Sequence, residues 1–325
     1  MFRFLLVRLG QAVITLLGVT FLSFLIIKMA PGDYLDQLRL NPQISPETIE
    51  TLKKQYGLDK PVMVQYIKWL KSAVMFDLGY SFQYHAPVIK LIKERVGNTL
   101  LLTLTSAVLS WILAVLLGLL AGFKEGTLID KLIKAYAYTF MSFPSFFLAF
   151  LLLLIASKTG ALPVGGMQSA GFESMTTFEK LLDIAKHMVV PVLTLTLVST
   201  AGMLRLVRSS VIEVLQSPIT TFLRAKGVPQ RVIVKHVLKN AMNPFTTLIG
   251  YEIAGLLSGA ALIEIIVGWP GLGLLMLDAV LSQDLFLVMG GLYIGTIMLL
   301  LGNLIADILL ALIDPRIRER EIIGR

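Results

Sequence analysis

Six stretches of this chain are apolar for long enough to cross a lipid bilayer, and nothing else in the sequence constrains its fold as much. They run over about 9–30, 98–122, 134–157, 188–208, 244–267 and 285–313. The hydrocarbon core of a bilayer is ~30 Å thick, which a helix covers in ~20 residues. No water is available there to pair with backbone N–H and C=O groups, so a spanning segment satisfies them within itself as a helix. The chain as a whole agrees: 56% of its 325 residues are hydrophobic and 15% charged, where soluble domains carry ~25% charged residues. The expected fold class is all-α, a polytopic membrane protein with six transmembrane helices.

The first apolar run, Leu9 to Ile27, follows Arg3 and Arg8 and so mimics a secretory signal. It is longer than an ordinary signal core, and Lys28-Met29-Ala30-Pro31 offers no small-x-small cleavage site. It is read as a retained span, residues 1–30. Residues 31–97 are mixed in character and broken by Pro42, Pro46, Pro61 and Pro87, with short helices expected near 46–56 and 61–75. The remaining five spans form a core over 98–313. Pro144 lies inside the third, where neighbouring helices can satisfy the freed carbonyl, and Pro191 is expected in the first turn of the fourth. Residues 314–325 form a basic tail.

Charge sets the orientation. Lys and Arg concentrate at the N-terminus, in 123–133, in 205–243 and in the tail, whereas 268–284 contains neither. Basic residues near span ends stay in the cytoplasm. Both termini and the 205–243 loop are therefore expected in the cytoplasm, with 31–97, 158–187 and 268–284 outside. The net charge of +8 is then a topology signal and does not point to nucleic acid. The basic residues also suit anionic membrane lipid.

Several chemistries are not supported. No G-x-x-x-x-G-K-[ST], H-E-x-x-H or G-x-S-x-G motif occurs, and there is no cysteine. The three histidines, His85, His187 and His236, are far apart in sequence. His85 and His187 are read as surface residues of external segments, not as metal ligands. No internal repeat is visible, which argues against an inverted-repeat carrier.

The basic loop carries a small module of its own. Ser217 suits a helix N-cap, Pro218 the first helical position, and Gly227 the left-handed residue that ends a helix. Between them a helix of about nine residues, roughly 13 Å long, is expected. Ile219, Phe222 and Leu223 fall at i, i+3, i+4 on one face. Arg224 and Lys226 in the last turn complement the helix dipole. So short a helix is not stable alone. It either lies on anionic lipid or docks into a groove of another protein.

At this loop the chain resembles the permeases of ATP-binding-cassette importers. Arg224-Ala225-Lys226-Gly227, followed by His236, Asn240 and Pro244, is similar to their cytoplasmic loop. The nearest group is that of oligopeptide, dipeptide and nickel importers, in the first (B-type) permease subunit. Further motifs appear in the family's order: Leu9-Gly10-Gln11 with Pro31-Gly32-Asp33; Tyr56-Gly57-Leu58-Asp59-Lys60-Pro61 with Gln65-Tyr66; Asp77-Leu78-Gly79; Trp269-Pro270-Gly271-Leu272-Gly273; and Asp314-Pro315-Arg316-Ile317-Arg318. Where the general importer pattern has Glu-Ala-Ala, this chain has Thr221-Phe222-Leu223, so its loop helix is more apolar than usual.

The resemblance implies a type I importer permease in a bacterial or archaeal cytoplasmic membrane. It implies a homologous second permease subunit, two ATP-binding-cassette ATPases and an extracytoplasmic solute-binding protein. Ile219, Phe222, Leu223, Arg224, Ala225, Lys226 and Gly227 would couple to the ATPases. This chain would bind no cofactor; ATP and Mg would belong to the ATPases, and the chain itself would be no enzyme. The expected cargo is a di- or oligopeptide, with nickel and oligosaccharide as alternatives. Beside the resemblance, an acid inside a membrane helix is a functional candidate or an interhelical hydrogen-bond partner. Glu252 in span five is the one expected on the translocation path, ahead of Glu264 and Asp307. Trp269-Pro270-Gly271 is either a plain turn or, with the apolar run behind it, part of an outer gate. The competing class is an ion-coupled carrier or channel, which would need no ATPase.

Overall fold

The structure, a computed structural model, describes residues 2–29, 32, 34–39, 45–242 and 260–313. Among the described residues four helices are long and apolar enough to cross a membrane, and two broken helix pairs bring the total to six if each pair is one span. The chain divides into two compact units, 1–99 with 270–301, and 100–269 with 302–325.

The first unit contains helices α1 (Phe2–Met29), α2 (Tyr34–Arg39), α3 (Pro46–Gln55) and α4 (Val62–Val74), followed by two two-residue strands, Tyr80–Ser81 and Ala86–Pro87. The two short helices expected from the proline pattern are α3 and α4. Ser45 caps α3 by accepting the Thr48 N–H, and Pro46 opens it. Phe24, Tyr66, Trp69, Leu78, Ile92, Leu275 and Met289 form the buried centre. The Thr20 and Tyr66 hydroxyls pair at 3.0 Å, tying α4 to the membrane helix α1. Asp284, fully buried, accepts hydrogen bonds from the Ser81 hydroxyl at 2.6 Å and the Gln83 N–H at 3.0 Å. It also accepts the Leu287 N–H at 3.2 Å, so one carboxylate fastens the strand pair and the start of the last helix together.

The second unit is built on α5 (Val88–Phe123, entering from the first unit), α6 (Leu128–Ser142), α7 (Ser145–Thr159) and α8 (Thr177–Gln216). Then come α9 (Pro218–Ala225), α10 (Gln230–Ala241) and α11 (Ala261–Val267). In the first unit follow α12 (Leu272–Leu281) and most of α13 (Leu285–Ile313).

Two expectations differ from the structure, and a third is extended. The second apolar run, from about 98, lies inside a longer helix: α5 starts at Val88 and runs 36 residues, ~54 Å at 1.5 Å per residue, so its first turns with Lys90, Lys93 and Arg95 extend beyond a ~30 Å hydrocarbon layer. The third span is not one helix carrying a tolerated proline. It breaks at Phe143-Pro144 with a 103° bend. Phe143 sits at ψ 126°, the extended geometry that a proline imposes on its predecessor, and Pro144, at ψ 131°, stands as the N-cap of α7, outside the helical turns. Pro191 is not in the first turn of its helix. A capping box, in which Thr176 accepts the Glu179 N–H and Glu179 accepts the Thr176 N–H, starts α8 at Thr177, and Pro191 lies in its interior. Most of span five, 243–259, lies outside the described residues, as does the tail from 314.

Helices α5 and α8 approach closely along a Gly-x-x-x-Gly seam. A Cβ on Gly118 would stand 2.6 Å from Val207 Cβ and 2.9 Å from the Leu204 carbonyl. One on Gly122 would stand 2.6 Å from Val211 Cβ. Only a hydrogen side chain permits these contacts, as at other membrane helix crossings.

Candidate functional site

The candidate site is the module in the 205–243 loop and the helix ends that carry it. Ser217 accepts the Thr220 N–H at 3.3 Å, and the Thr220 hydroxyl donates to the Val214 carbonyl at 2.6 Å. Thr220 is fully buried, so the turn from α8 into α9 is locked from both sides. At the other end Gly227 adopts φ +71°, its N–H donates to the Arg224 carbonyl, and the Val228 N–H to the Leu223 carbonyl. This is a glycine-terminated helix end. The helix is eight residues long, one fewer than the sequence suggests.

Its outward side is apolar. Ile219 is 61% and Phe222 57% exposed, and the Lys226 ammonium sits 4.9 Å from the Phe222 ring centroid. Arg224, Ala225, Lys226 and Gly227 are exposed too, whereas Leu223 is half-buried, turned partly back to its own chain. So the expected three-residue face is a two-residue knob with a basic rim.

What lies behind the knob is rigid. From α10, Ile233, Val237 and Ala241 enter a buried cluster with Ala121 of α5, Ala137 of α6 and Leu204, Val207 and Val211 of α8. Beside it Arg208 grips Asp130, Nε to Oδ1 at 2.6 Å and Nη2 to Oδ2 at 3.0 Å. Asp130 is fully buried, accepts the Gly126 N–H at 3.0 Å and has the Lys134 ammonium at 3.3 Å. Arg205 and Arg208, expected as loop charges, therefore belong to α8. Arg205 lies over the Tyr138 ring at 5.6 Å, and Arg208 holds α8 to the start of α6. Sequence reading passes over Asp130, whose partner is 78 residues away. Its only local mark is Thr127 three residues earlier, which caps α6.

The other sequence candidates are not brought to this place. Glu252 lies outside the described residues. Trp269 is completely buried, packed with Leu102, Val190 and Val267 in its own unit, and donates its backbone N–H to the Glu264 carbonyl at 2.8 Å. In the other unit the Pro270 carbonyl accepts the Asn98 amide at 2.8 Å, and Thr99 caps α12 by accepting the Leu272 N–H. Glu264 is also fully buried. His187 is not a surface residue: it is buried in α8, its Nδ1 2.9 Å from the Asp183 carbonyl. His85 is exposed. Among the described residues no three His, Cys, Asp or Glu side chains gather as metal ligands would.

Two family matches together cover nearly the whole chain. Residues 114–319 match the family described as the binding-protein-dependent transport system inner membrane component. Residues 1–103 match the family for the N-terminal part of such membrane components. The oligopeptide transport system permease protein AppB of Bacillus subtilis is 37% identical over 93% of this chain and 95% of its own length. The dipeptide transport system permease protein DppB of Escherichia coli is 34% identical over 99% of this chain and 100% of its own. The metal-staphylopine import system permease protein CntB of Staphylococcus aureus is 31% identical over 98% of this chain and 99% of its own.

Proposed function

The chain belongs to the family of inner-membrane components of binding-protein-dependent transport systems, and from that premise we propose that it is one permease half of an ATP-driven importer of di- or oligopeptides. A homologous second permease supplies the other half of the pathway. Two ATPases, which hold ATP and Mg, drive it, and an extracytoplasmic binding protein delivers the cargo. This chain breaks no bond. The observation that carries the reading is α9: a capped helix with Ile219 and Phe222 exposed, mounted on a buried cluster that joins α5, α6, α8 and α10. A motion imposed on α9 is thereby passed to the membrane helices instead of being lost in a loose loop. The relatives named for oligopeptide and dipeptide transport support peptide as the cargo. Dialanine uptake into proteoliposomes tests the whole. Uptake should require ATP, both permeases and the binding protein; uptake by this chain alone would identify an ion-coupled carrier instead.

In this reading residues 1–30 form the first membrane helix, 31–97 an extracytoplasmic segment and 98–313 the core with coupling loop 205–243. Residues 314–325 form a cytoplasmic tail. Because the chain has no cysteine, single cysteines report orientation cleanly. In intact cells a membrane-impermeant thiol reagent should label Thr48→Cys and not Gln230→Cys; the reverse pattern overturns the topology. Glu252 is assigned to the translocation path and Trp269-Pro270-Gly271 to the outer gate. A charge facing hydrocarbon costs at least ~2.5 kcal/mol, which favours a cavity-facing Glu252. Glu252→Gln and Pro270→Ala should each lower uptake severalfold in complexes that assemble normally. Failed assembly in either variant would make that residue structural.

A further inference from the structure

Helix α4 has 13 residues, too few to cross a bilayer, yet it leaves a row of large apolar side chains uncovered. Met63, Ile67 and Val74 are 53%, 46% and 67% exposed, and Leu70 between them is half-buried. Their spacing, i, i+4, i+7, i+11, is that of one helix face. It is not the face that α4 gives to its own unit, which carries Tyr66, Trp69 and Ala73.

The other two sides are polar, each in its own way. Gln65 and Ser72 each precede a stripe residue by two positions, ~200° around the helix, and so point away from the stripe. Both line a cavity of about 220 Å³. Lys68 and Lys71, both exposed, fall between the stripe and this polar side. The helix contains no Asp or Glu. An apolar side, lysines next to it and an uncharged polar side opposite make up the cross-section of a helix lying flat at a bilayer surface. Its apolar side meets acyl chains, its ammonium groups reach the phosphates, and its polar side meets water.

What α4 is fastened to decides what covers the stripe. The Tyr66 hydroxyl lies 3.0 Å from the Thr20 hydroxyl and 3.3 Å from the Leu17 carbonyl of α1. The rings of Phe21 and Phe24 stand 5.2 and 5.6 Å from that of Tyr66. The apolar stretch of α1 runs Leu6–Met29, so Thr20 is nine residues, ~13.5 Å, inside its end. A helix held one side chain away from that level lies at the edge of the hydrocarbon layer, not above it. The end of α4 agrees. Met75 and Phe76 are 77% and 56% exposed, and Phe76 sits at φ +60°, where a helix ending of this kind normally has glycine. A bulky residue is strained there; in exchange it gives an interfacial helix a ring that glycine lacks.

We infer that α4 lies in the plane of the bilayer at the boundary of headgroups and acyl chains, with Met63, Ile67, Leu70 and Val74 among the chains and Lys68 and Lys71 on phospholipid phosphates. The occupant of the stripe is lipid, not a second protein. Part of the segment that follows the first membrane helix is thereby a membrane-bound element. The inference rests on α1 and α4 and stands whether or not the chain imports peptides.

Because the chain has no cysteine, spin labels on Ile67→Cys and Val74→Cys test this in the full-length chain in phospholipid nanodiscs. Ile14→Cys on α1, 73% exposed, serves as the lipid reference and Thr48→Cys as the aqueous one. Relaxation of each label is measured with oxygen, which concentrates among acyl chains, and with a water-soluble nickel chelate. The measurement is made on the chain alone and again with the companion permease proposed above. At 67 and 74 the ratio of oxygen to nickel relaxation should be several-fold higher than at 48 and lower than at 14, as the headgroup boundary requires. Lys68→Glu with Lys71→Glu should lower the ratio at 74; an unchanged ratio overturns the phosphate contact. Ile67 and Val74 are exposed, so the labelled chains should unfold at the wild-type temperature. The inference falls if nickel reaches either label as freely as it reaches 48, since the stripe then faces water. It falls equally if either label is shielded from both reagents, since a second copy or the companion then covers it. The chain-alone measurement decides even where no companion complex forms.

Discussion

Arg208→Ala is expected to destabilise the second unit by about 3 kcal/mol and to lower transport per ATP hydrolysed. Removing one partner of a buried ion pair costs about 3–5 kcal/mol, because the other charge stays behind unpaired. Asp130 has no exposed surface, and Arg208 supplies two of the four donors around it. The low end of the range applies because the Arg208 side chain keeps 19% of its surface, and water can enter where it leaves. The carboxyl can also take up a proton, which limits the loss further. Arg208→Lys should fall between, since an ammonium cannot make the bidentate contact. Asp130→Asn with Arg208→Gln should regain part of the stability, because no uncompensated charge remains. Thermal unfolding of the purified chain and of the assembled complex measures the first effect. The ratio of peptide imported to ATP hydrolysed measures the second. An unchanged unfolding midpoint in Arg208→Ala would mean that the pair contributes nothing to joining α6 and α8.

How far the sequence reveals this arrangement depends on distance along the chain. The ends of α9 are legible because their chemistry is local: Ser217, Pro218 and Gly227 lie within or beside the helix they delimit. Thr176 and Glu179 spell a capping box in the sequence by the same local logic, but the apolar run begins only at about 188, well after the helix start at Thr177. Hydropathy reports where a helix meets lipid; backbone hydrogen bonding continues past that point, which is why α5 and α8 both begin earlier than their apolar runs. The two prolines show what local reading cannot resolve. Met188, Val190 and Val192 around Pro191 are buried, and their packing carries the helix through. Met141, Ser142, Pro144 and Phe146 are exposed, so nothing opposes the extended geometry that Pro144 imposes on Phe143. The Asp130–Arg208 pair and the contact of Gly118 with Val207 join residues some eighty to ninety positions apart; Gly118 and Gly122 mark a close crossing in the sequence, but nothing local names the partner of either contact.

Phe222→Asp should leave this chain folded and inserted while weakening its hold on the ATPases by about 10- to 100-fold. Burying a phenylalanine side chain contributes ~1.5–3 kcal/mol, and each ~1.4 kcal/mol is tenfold in affinity. Phe222 is the largest apolar side chain on the exposed side of α9, and a central aromatic commonly dominates an interface. In the isolated chain little is at stake. The ring is 57% exposed, and its loss removes only an exposed contact with Lys226, ~0.5–1 kcal/mol. An aspartate there would regain ~0.3–0.5 kcal/mol by pairing with Lys226 at i, i+4. Unfolding temperature should therefore stay near wild type. In the complex the same aspartate would carry an unpaired charge into an apolar groove, which is costly. Phe222→Leu, which keeps most of the apolar volume, should retain most of the association. Gly227→Val should act like Phe222→Asp by another route, since φ +71° strains a β-branched residue and shifts the end of α9. Co-purification of the ATPases and hydrolysis stimulated by the loaded binding protein are the measurements. If Phe222→Asp retains full association and full stimulation, α9 rests on lipid and the ATPases dock elsewhere.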